Sequence, residues 1–159
     1  MRGYAKIGDF AGESSDSGHE GWSIIKGLSS GLSHPMGAFS HAEGTKGSVQ
    51  VGSIVLEKET DAATVKLQRA LLAREKIPKI EIHVCGVISN KREPFLIYEL
   101  EDVFATSFQF SNSITEDGTI PTESVTFDFK KIKWTYIQYG ADGKKQGKVT
   151  HEYKVGEKN

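Results

Sequence analysis

A hydrophobic period of two runs through most of this sequence, and no other feature constrains its fold as strongly. Residues 79–85 place apolar side chains at the even positions, and residues 104–110 repeat the pattern at Phe104, Phe108 and Phe110. Because successive side chains of a strand point to opposite faces, such alternation is typical of strands with one buried face. The chain is therefore predicted to be mainly β.

The alternation changes parity within residues 124–139, which form the most informative segment. Apolar residues hold the odd positions from Val125 to Phe129 and the even positions from Ile132 to Tyr136. One extra residue near positions 130–131 accounts for the change, since a β-bulge bends a strand while keeping the same face inward. A long bent strand is what a closed barrel requires. The alternative is a strand that switches faces because both faces are covered.

Further strands and one helix complete the predicted barrel. A helix is predicted from residue 62 to about residue 75, because Asp61 can cap it and apolar residues then repeat at helical spacing. The Asp142-Gly143 pair predicts a tight hairpin turn before the last strand. A single helix among many strands suggests a helix that plugs or flanks the barrel. The other predicted strands cover residues 5–7, 22–32, 48–57, 95–101 and 149–155.

Composition limits the classes of function. The chain has 159 residues, of which 37% are hydrophobic, so a single domain covering residues 1–159 is predicted. Its net charge of −1 argues against nucleic-acid binding through phosphate contacts. Membrane insertion is not expected either, since no apolar run approaches the roughly 20 residues that span a bilayer. The single cysteine, Cys85, excludes a disulfide framework and is expected to be a core residue.

The sequence contains no convincing catalytic or cofactor-binding constellation. His34 and His41 share a glycine-rich loop, but their seven-residue spacing fits no short metal-binding motif. His83 is expected on the exposed face of its strand. Glu99 and Glu101 could form the carboxylate pair of a glycosidase, although a solvated sheet face is the plainer interpretation. The protein is therefore predicted not to be an enzyme and to need no cofactor.

Apolar surface that a single chain cannot cover gives a stronger signal. Residues 95–98 are apolar on both faces, which fits a strand covered by its own core and by something else. The long loop at residues 33–47 carries Met36 and Phe39, which a monomer would leave exposed. Exposed apolar patches and sheet edges favour association. The residues alone therefore predict a self-associating β-barrel domain with one helix.

Several short segments follow one another in the order and spacing of a known family. The more specific ones are a Gly-Glu-Ser-x-Asp start at residues 12–16 and a Thr-Glu-Ser-Val-x-Phe-x-Phe strand at residues 122–129. Others are Lys6-Ile7-Gly8-Asp9, His19, Leu100-Glu101-Asp102-Val103 and Ala141-Asp142-Gly143. Together they span nearly the whole chain, which in this respect resembles the Hcp family, the haemolysin-coregulated tube proteins of type VI secretion.

The resemblance implies a small β-barrel of two antiparallel sheets with one flanking α-helix, akin to phage tail-tube proteins. It implies a homohexamer: six copies close into a ring, and rings stack into a hollow tube that a contracting sheath expels. The implied partners are that sheath, a VgrG spike and small effector proteins carried in the lumen. The tube would assemble in the cytoplasm and leave without a cleaved signal peptide, which agrees with the missing apolar segment behind the N-terminus.

One alternative to the tube remains open. A stand-alone β-sandwich module could bind carbohydrate or protein through an aromatic platform, because aromatic rings stack well on sugars and on other flat groups. The rings available for such a platform are Trp22, Trp134 and Tyr139.

The resemblance also assigns surfaces to particular residues. The family's second strand commonly reads Trp-Ser-Trp-Gly and lines the lumen. Here residues 28–31 read Leu-Ser-Ser-Gly, so Ser29 is expected to face the lumen. Phe95 and Ile97 are expected to contact the next subunit. The family's extended loop reaches a neighbouring subunit or ring, and the residues expected to make these contacts here are His34, Met36, Phe39 and His41.

Overall fold

The alternating segments form antiparallel strands in a computed structural model, which describes residues 1–34 and 49–156. The mainly β class is confirmed. The strands are β1 (Arg2–Ile7), β2 (Ser23–Ser29), β3 (Leu32–Ser33), β4 (Gln50–Val51), β5 (Ile54–Glu59), β6 (Ile77–Ile88), β7 (Lys91–Phe110), β8 (Thr122–Asp128), β9 (Lys131–Tyr139) and β10 (Lys145–Lys154). The helix is α1 (Ala63–Leu72).

Six strands close into a barrel. Hydrogen-bonded neighbours follow the order β7-β6-β1-β2-β5-β8, and β8 pairs back onto β7, so the ring of strands has no gap. Strands β9 and β10 lie outside this ring, because β9 pairs with β7 and β10 pairs with β9. We call β9 and β10 together the arm. The predicted antiparallel barrel with a flanking helix is confirmed.

Strand β7 holds the barrel and the arm together. Its residues Leu96–Glu101 pair with β9, and its residues Phe104–Phe110 pair with β8. Between the two halves, Asp102 has a φ of 52°, a value in the left-handed region that few residues other than glycine adopt. The two strands predicted at residues 95–101 and 104–110 are therefore one 20-residue strand that changes partner at Asp102.

The parity change predicted near positions 130–131 marks a break between two strands instead of a bulge within one. Strand β8 ends at Asp128 and β9 begins at Lys131. The chain changes direction here because β8 pairs with one half of β7 and β9 pairs with the other. The amide of Lys130 still donates to the carbonyl oxygen of Glu101 at 3.1 Å, which fixes the corner against β7.

The strands predicted at residues 22–32 and 48–57 are each split at a glycine. Gly52 donates its amide hydrogen to the carbonyl oxygen of Gly31 at 2.9 Å. A Cβ atom on Gly52 would lie 3.1 Å from that same oxygen, which is tighter than nearly all real contacts. Beyond this crossing, Leu32 pairs with Val51 in the short ribbon β3–β4. Ser33 belongs to that ribbon, and residues 35–48 lie outside the described part of the chain.

Asp61 begins the helix as predicted. Its Oδ1 accepts the backbone N–H of Ala63 at 2.9 Å, and its own N–H donates to Oγ1 of Thr64 at 3.0 Å. This reciprocal arrangement satisfies two backbone groups at the helix start. The helix ends at Leu72, three residues earlier than predicted, because Arg74 has a φ of 50° and turns the chain away.

One apolar core fills the barrel, and α1 packs against it. The inward residues of the strands alternate with outward ones, as the sequence predicted. The helix contributes three residues with an exposed fraction of 1% or less, and the barrel contributes most of the rest. The helical residues are Ala63, Leu67 and Ala70, and the barrel residues of this core cluster with no exposed surface are Ile7, Leu56, Ile80, Ile82, Leu100, Val103, Val125 and Phe127.

Candidate functional site

The arm presents a long free sheet edge. Among the strands of the described residues, β10 pairs only with β9, and nine of its ten residues are exposed. An edge strand leaves a row of backbone N–H and C=O groups available for another strand. Lysines at positions 145 and 148 lie on this edge, and charges of this kind disfavour indiscriminate pairing. The edge therefore favours a specific partner over aggregation.

Apolar side chains continue from β7 onto one face of the arm. Leu96 on β7 pairs with Tyr136 on β9, and Tyr136 pairs with Val149 on β10. Tyr136 is 51% exposed and Val149 is 70% exposed. The ring of Phe95 meets that of Tyr136 edge-on, with 6.3 Å between their centres. We call Phe95, Leu96, Tyr136 and Val149 the arm patch.

The other face of β7 carries the second predicted contact residue. Ile97 is half-buried and pairs with His83 on β6 and with Thr135 on β9. Phe95, Leu96 and Tyr98 are half-buried as well. Within the described residues, neither face of residues 95–98 is fully covered by the chain itself. Cover by a neighbouring subunit, which the sequence predicted for this strand, stays a prediction.

The glutamates proposed as a glycosidase pair are held by lysines. Lys79 Nζ lies 3.0 Å from Oε1 of Glu99, Lys133 Nζ lies 3.6 Å from Oε2 of Glu99, and Lys131 Nζ lies 3.5 Å from Oε2 of Glu101. Partial burial acts to raise the pKa of Glu99, but the hydrogen bond from Lys79 and the charges of Lys79 and Lys133 outweigh it and lower the pKa. A general acid needs a raised pKa. Glu99 is therefore a structural ion-pair partner.

His83 is not a surface residue, and the expectation that it faces solvent is wrong. Its side chain is only 15% exposed, and its Nδ1 lies 2.9 Å from Nε2 of His19. The loop at residues 8–22, which we call the N-terminal loop, folds over it and buries His19 to 5% exposure. Sequence periodicity placed His83 on the outward face correctly but carried no signal that a distant loop covers that face.

Cys85 lies beside the two histidines and is fully buried, as predicted. Burial raises the pKa of its thiol to about 11, with a smaller opposing effect from the charge of Arg92. A nucleophilic cysteine needs a lowered pKa and some exposure. Cys85 is therefore an inert core residue. In the described part of the chain, no three side chains of the types that ligate metals are grouped to hold an ion.

A second polar cluster lies inside the barrel end. Lys58 Nζ donates to Oε1 of Glu123 at 2.6 Å and to Oδ1 of Asp61 at 2.9 Å, and the side chains of Lys58 and Glu123 have no exposed surface. Thr64 Oγ1 also donates to Glu123 at 2.7 Å. These bonds join β5, β8 and the helix start. The sequence indicates that Lys58 is buried, since it lies two residues after Leu56 and therefore on the same inward face of the strand. This cluster was not predicted from the sequence.

The remaining predicted site residues lie close together along the chain, between positions 29 and 41, and the structure describes two of them. Ser29 ends β2 and is exposed, and His34 follows β3 and is exposed. The other three loop residues, Met36, Phe39 and His41, lie outside the described residues.

The proposed aromatic platform is not assembled. Trp22 packs against the rings of His19 and His83, whose centres lie 4.8 and 4.6 Å from its own. Trp134 stacks on His151 at 6.3 Å, and Tyr139 donates its hydroxyl hydrogen to the carbonyl oxygen of Pro94 at 2.8 Å. Each ring has different neighbours, so the geometry does not favour the carbohydrate-binding module. Among the described residues, no helix is long and apolar enough to cross a membrane.

A small closed β-barrel with a flanking helix and an edge-exposing arm places this chain in the class of small β-barrel proteins with one helix. A family model described as "Type VI secretion system effector, Hcp" matches residues 4–136. The chain belongs to the Hcp family, whose members are secreted, non-enzymatic components of type VI secretion.

Solved structures agree with this assignment. A protein described as a type six secretion system protein is 27% identical, with a TM-score of 0.88, over 98% of this chain and 96% of that one. An effector from Yersinia pestis is 18% identical over 96% and 99%, with a TM-score of 0.76. A double mutant of Hcp1 from E. coli EAEC 042 is 16% identical over 97% and 99%, also at 0.76. The last two show the shared fold alone. Comparison with curated protein sequences gave no match.

Proposed function

We propose that this protein is the tube subunit of a type VI secretion system. Six copies close into a ring, and the rings stack into a hollow tube. A contracting sheath expels the tube behind a VgrG spike, and effector proteins travel in its lumen. The tube assembles in the cytoplasm and leaves the cell without a cleaved signal peptide. Residues 1–159 act as one domain.

The observation that carries this proposal is the arm. A closed ring repeats one heterologous contact, in which a patch on each subunit meets a different patch on the next. The exposed edge of β10 and the adjoining arm patch are an extended surface of this kind, since both a hydrogen-bonding row and apolar side chains lie uncovered. Covering exposed apolar area contributes about 25 cal/mol per Å² to association. We infer that the arm lies on the next subunit.

The same proposal assigns roles to the predicted site residues. Phe95 and Ile97 contact the neighbouring subunit, and Ser29 faces the lumen. The loop residues His34, Met36, Phe39 and His41 contact a neighbouring subunit or ring. What supports these roles is the exposure of Ser29 and His34 and the half-exposure of Phe95 and Ile97.

A single charge on the arm tests the ring. Native mass measurement and negative-stain images of the wild-type protein should give particles of about six chains. Val149→Asp should shift the protein to smaller species, because a buried unpaired charge opposes association. The matched control is Val65→Asp on the helix, where the valine is 73% exposed against 70% for Val149. A wild-type monomer, or rings unaffected by Val149→Asp, would contradict the proposal.

The loop is tested separately from the ring. Combining Met36→Asp with Phe39→Asp should reduce stacking of rings into tubes while each barrel stays folded, because apolar contacts between rings are replaced by like charges. Images would show separate rings, and the circular dichroism spectrum would remain that of the wild type. Unchanged tubes would remove these two residues from the contact between rings and leave the ring itself untouched.

A further inference from the structure

The N-terminal loop folds compactly onto the outer face of β1 and β6. Within it, the amide of Gly12 donates to the carbonyl oxygen of Gly21 at 2.8 Å, that of Ser14 donates to Trp22 at 2.9 Å, and that of Gly21 donates to Ser14 at 2.8 Å. These bonds shape the loop but do not attach it to the barrel. Its first residues are held by the amide of Gly8, which donates to the carbonyl oxygen of Lys79 on β6 at 2.9 Å, and by Phe10, which is 7% exposed within the core. Beyond Phe10, side chains attach the loop at two points.

The first attachment uses fixed charges around Asp16. Tyr4 on β1 donates its hydroxyl hydrogen to Oδ2 of Asp16 in a short hydrogen bond. The Nη1 atom of Arg92 lies 3.2 Å from Oδ2, and the Nε atom of Arg2 lies 3.3 Å from it. The Asp16 side chain is 29% exposed, so these contacts are partly screened by solvent. They do not depend on any proton near neutral pH.

The second attachment uses two uncharged rings. His19 stacks on Tyr4 with 4.2 Å between ring centres and an angle of 11°. Its Nε2 lies 2.9 Å from Nδ1 of His83, at hydrogen-bond distance. Trp22 lies across both histidine rings, and Cys85 Sγ lies 4.0 Å from the same Nε2. These rings and the thiol therefore surround a single pair of nitrogens at the contact between the loop and the barrel.

Only one hydrogen fits between those two nitrogens. At 2.9 Å one nitrogen must donate and the other must accept, so the pair persists only while one of the facing nitrogens is unprotonated. A second proton would place two N–H groups and two cations against each other. The other nitrogen of His83, Nε2, is buried without a hydrogen-bond partner and lies 3.6 Å from Glu81 Oε1, where one positive charge is tolerated. Two positive charges are not tolerated at this position.

Charged and titratable groups surround the histidine pair from the loop and from three strands. The titratable and charged groups around the pair are Asp16 and Glu20 of the loop, Arg2 and Tyr4 of β1, Glu81 and Cys85 of β6, and Arg92 and Glu99 of β7. Asp16 is already bound by two arginines and a tyrosine. Glu99 is bound by two lysines. Glu81 faces His83 and offsets the first charge. Glu20 is exposed, and its charge only partly offsets the burial and the charge of His83 that lower the pKa of His19.

We propose that the His19–His83 pair is a proton-sensitive clasp: it holds the N-terminal loop on the barrel while it carries at most one extra proton, and it releases the loop when both rings are charged. The released element is the part of the loop beyond Phe10, since Gly8 and Phe10 are held separately and the strand pairing of the barrel does not involve either ring. For a protein of a secreted family, the clasp makes this surface respond to an acidic surrounding.

The direction of the effect follows from linkage. Burial lowers the pKa of His19, and the nearby charge of His83 lowers it further. Burial also lowers the pKa of His83, against the opposing effect of Glu81. A histidine whose pKa is lower in the closed state than its ordinary value of about 6.5 favours closure when neutral. Closure is therefore fully stable above about pH 6.5 and weakens as the pH falls below it.

Amide hydrogen exchange on the full-length protein tests the clasp directly. The reporters are the amides of Gly12, Ser14 and Gly21, corrected for the intrinsic pH dependence of exchange, between pH 7.5 and 5. Opening that takes up one proton increases the opening constant tenfold per pH unit, and two protons increase it a hundredfold. We expect a slope between these limits in the loop and a flatter slope in β6 and β7. A loop slope of zero would overturn the proposal.

A conservative variant separates the clasp from simple packing. In His83→Gln the amide oxygen accepts a hydrogen bond from a charged His19, so the loop slope should fall below that of the wild type, and the remainder reflects the burial of His19 alone. The matched control is His151→Gln, which removes an exposed histidine that is also stacked on a tryptophan and should keep the wild-type slope. Equal slopes in wild type and His83→Gln would overturn the proposal.

The wild-type protein also allows a test that needs no variant. Ring ¹⁵N shifts report the protonation of each histidine during the same titration. We expect the second ring to gain its proton together with the loss of loop protection. Full protonation of both rings while the loop amides remain protected would show that the pair accommodates two charges, and the clasp would be refuted.

Discussion

Two polar clusters lie against the apolar core of this barrel, and they are built on opposite principles. Lys58 and Glu123 are opposite charges whose side chains have no exposed surface, joined at 2.6 Å. His19 and His83 are uncharged rings joined at 2.9 Å beneath a loop. The first cluster joins strands to the helix within the barrel wall, and the second fastens an outer loop. Fixed pairs therefore serve the permanent part of the fold, and a titratable pair serves the part that can detach.

The largest expected effect tests the permanent cluster. Glu123→Ala leaves the Lys58 ammonium buried without its main partner, and breaking a buried pair in this way costs about 3–5 kcal/mol of unfolding free energy. Denaturant unfolding at pH 7.5 measures the loss. The matched variant replaces both residues, Lys58→Met with Glu123→Leu, and should recover part of the stability, because the unpaired Lys58 charge is gone while Asp61, whose side chain is 5% exposed, keeps the hydrogen bond from Ala63 but loses its cation. If Glu123→Ala cost less than about 1 kcal/mol, the cluster would not differ from a surface ion pair.

An intermediate effect sharpens the contrast inside the N-terminal loop. The hydrogen bond from Tyr4 lowers the pKa of Asp16, and Arg2 and Arg92 lower it further, against a smaller effect of burial. A carboxyl with a lowered pKa stabilises closure above its ordinary value of about 3.8 and loses that contribution as the pH falls through its lowered value. The Asp16 attachment therefore fails at a lower pH than the histidine clasp.

Asp16→Asn separates these two acid-sensitive steps. Charged hydrogen bonds contribute about 1.5–3 kcal/mol when buried, and partial exposure reduces this. We expect loop opening at pH 7.5 to increase about tenfold, with the pH slope between 7.5 and 5 unchanged. Hydrogen exchange of Gly12 and Gly21 measures both quantities. If Asp16→Asn abolished that slope, the histidines would not be the titrating groups.

The smallest expected effect concerns an exposed ion pair of the arm. Glu152 is 58% exposed and pairs with Lys131 at 3.3 Å. Exposed pairs of this kind contribute about 0–1 kcal/mol. Glu152→Ala should change the unfolding free energy by less than about 1 kcal/mol and leave the loop unaffected. A larger loss of unfolding free energy would mean that the exposed lysines and glutamates of these strands act as a network, as the buried Lys58–Glu123 cluster does.

Alternation predicted most strands, but it failed where the chain changes partner. Phe104 and Phe110 were assigned to one inward face, whereas Val103 and Ala105 are the buried residues and Phe110 is 47% exposed. The inward parity changes between Leu100 and Val103, where Asp102 has a φ of 52°, and a register shift against β8 follows between Ala105 and Ser107. A bulge of this kind depends on how two distant strands meet, so local periodicity contains no trace of it.

One part of the candidate site could also be predicted from the sequence, and another part could not. The doubly apolar segment at residues 95–98 was visible in the sequence, because a strand without a polar face needs cover on both sides. The arm patch was not visible, since it joins Phe95 on β7 with Val149 on β10, 54 residues apart in the sequence, through the pairing of three strands. Strand register is set by closure of the barrel, and closure is a property of the whole chain.

The sequence by itself determined the β class, the position of the helix and its cap at Asp61, because these follow from side-chain spacing and short-range hydrogen bonds. It also determined the family through short segments in a fixed order. Only the tertiary structure decided that His83 faces His19, that Lys58 meets Glu123 and that β10 is left at an edge. Each of these joins residues far apart along the chain, or depends on which strands are neighbours, and that information arises only when the barrel closes.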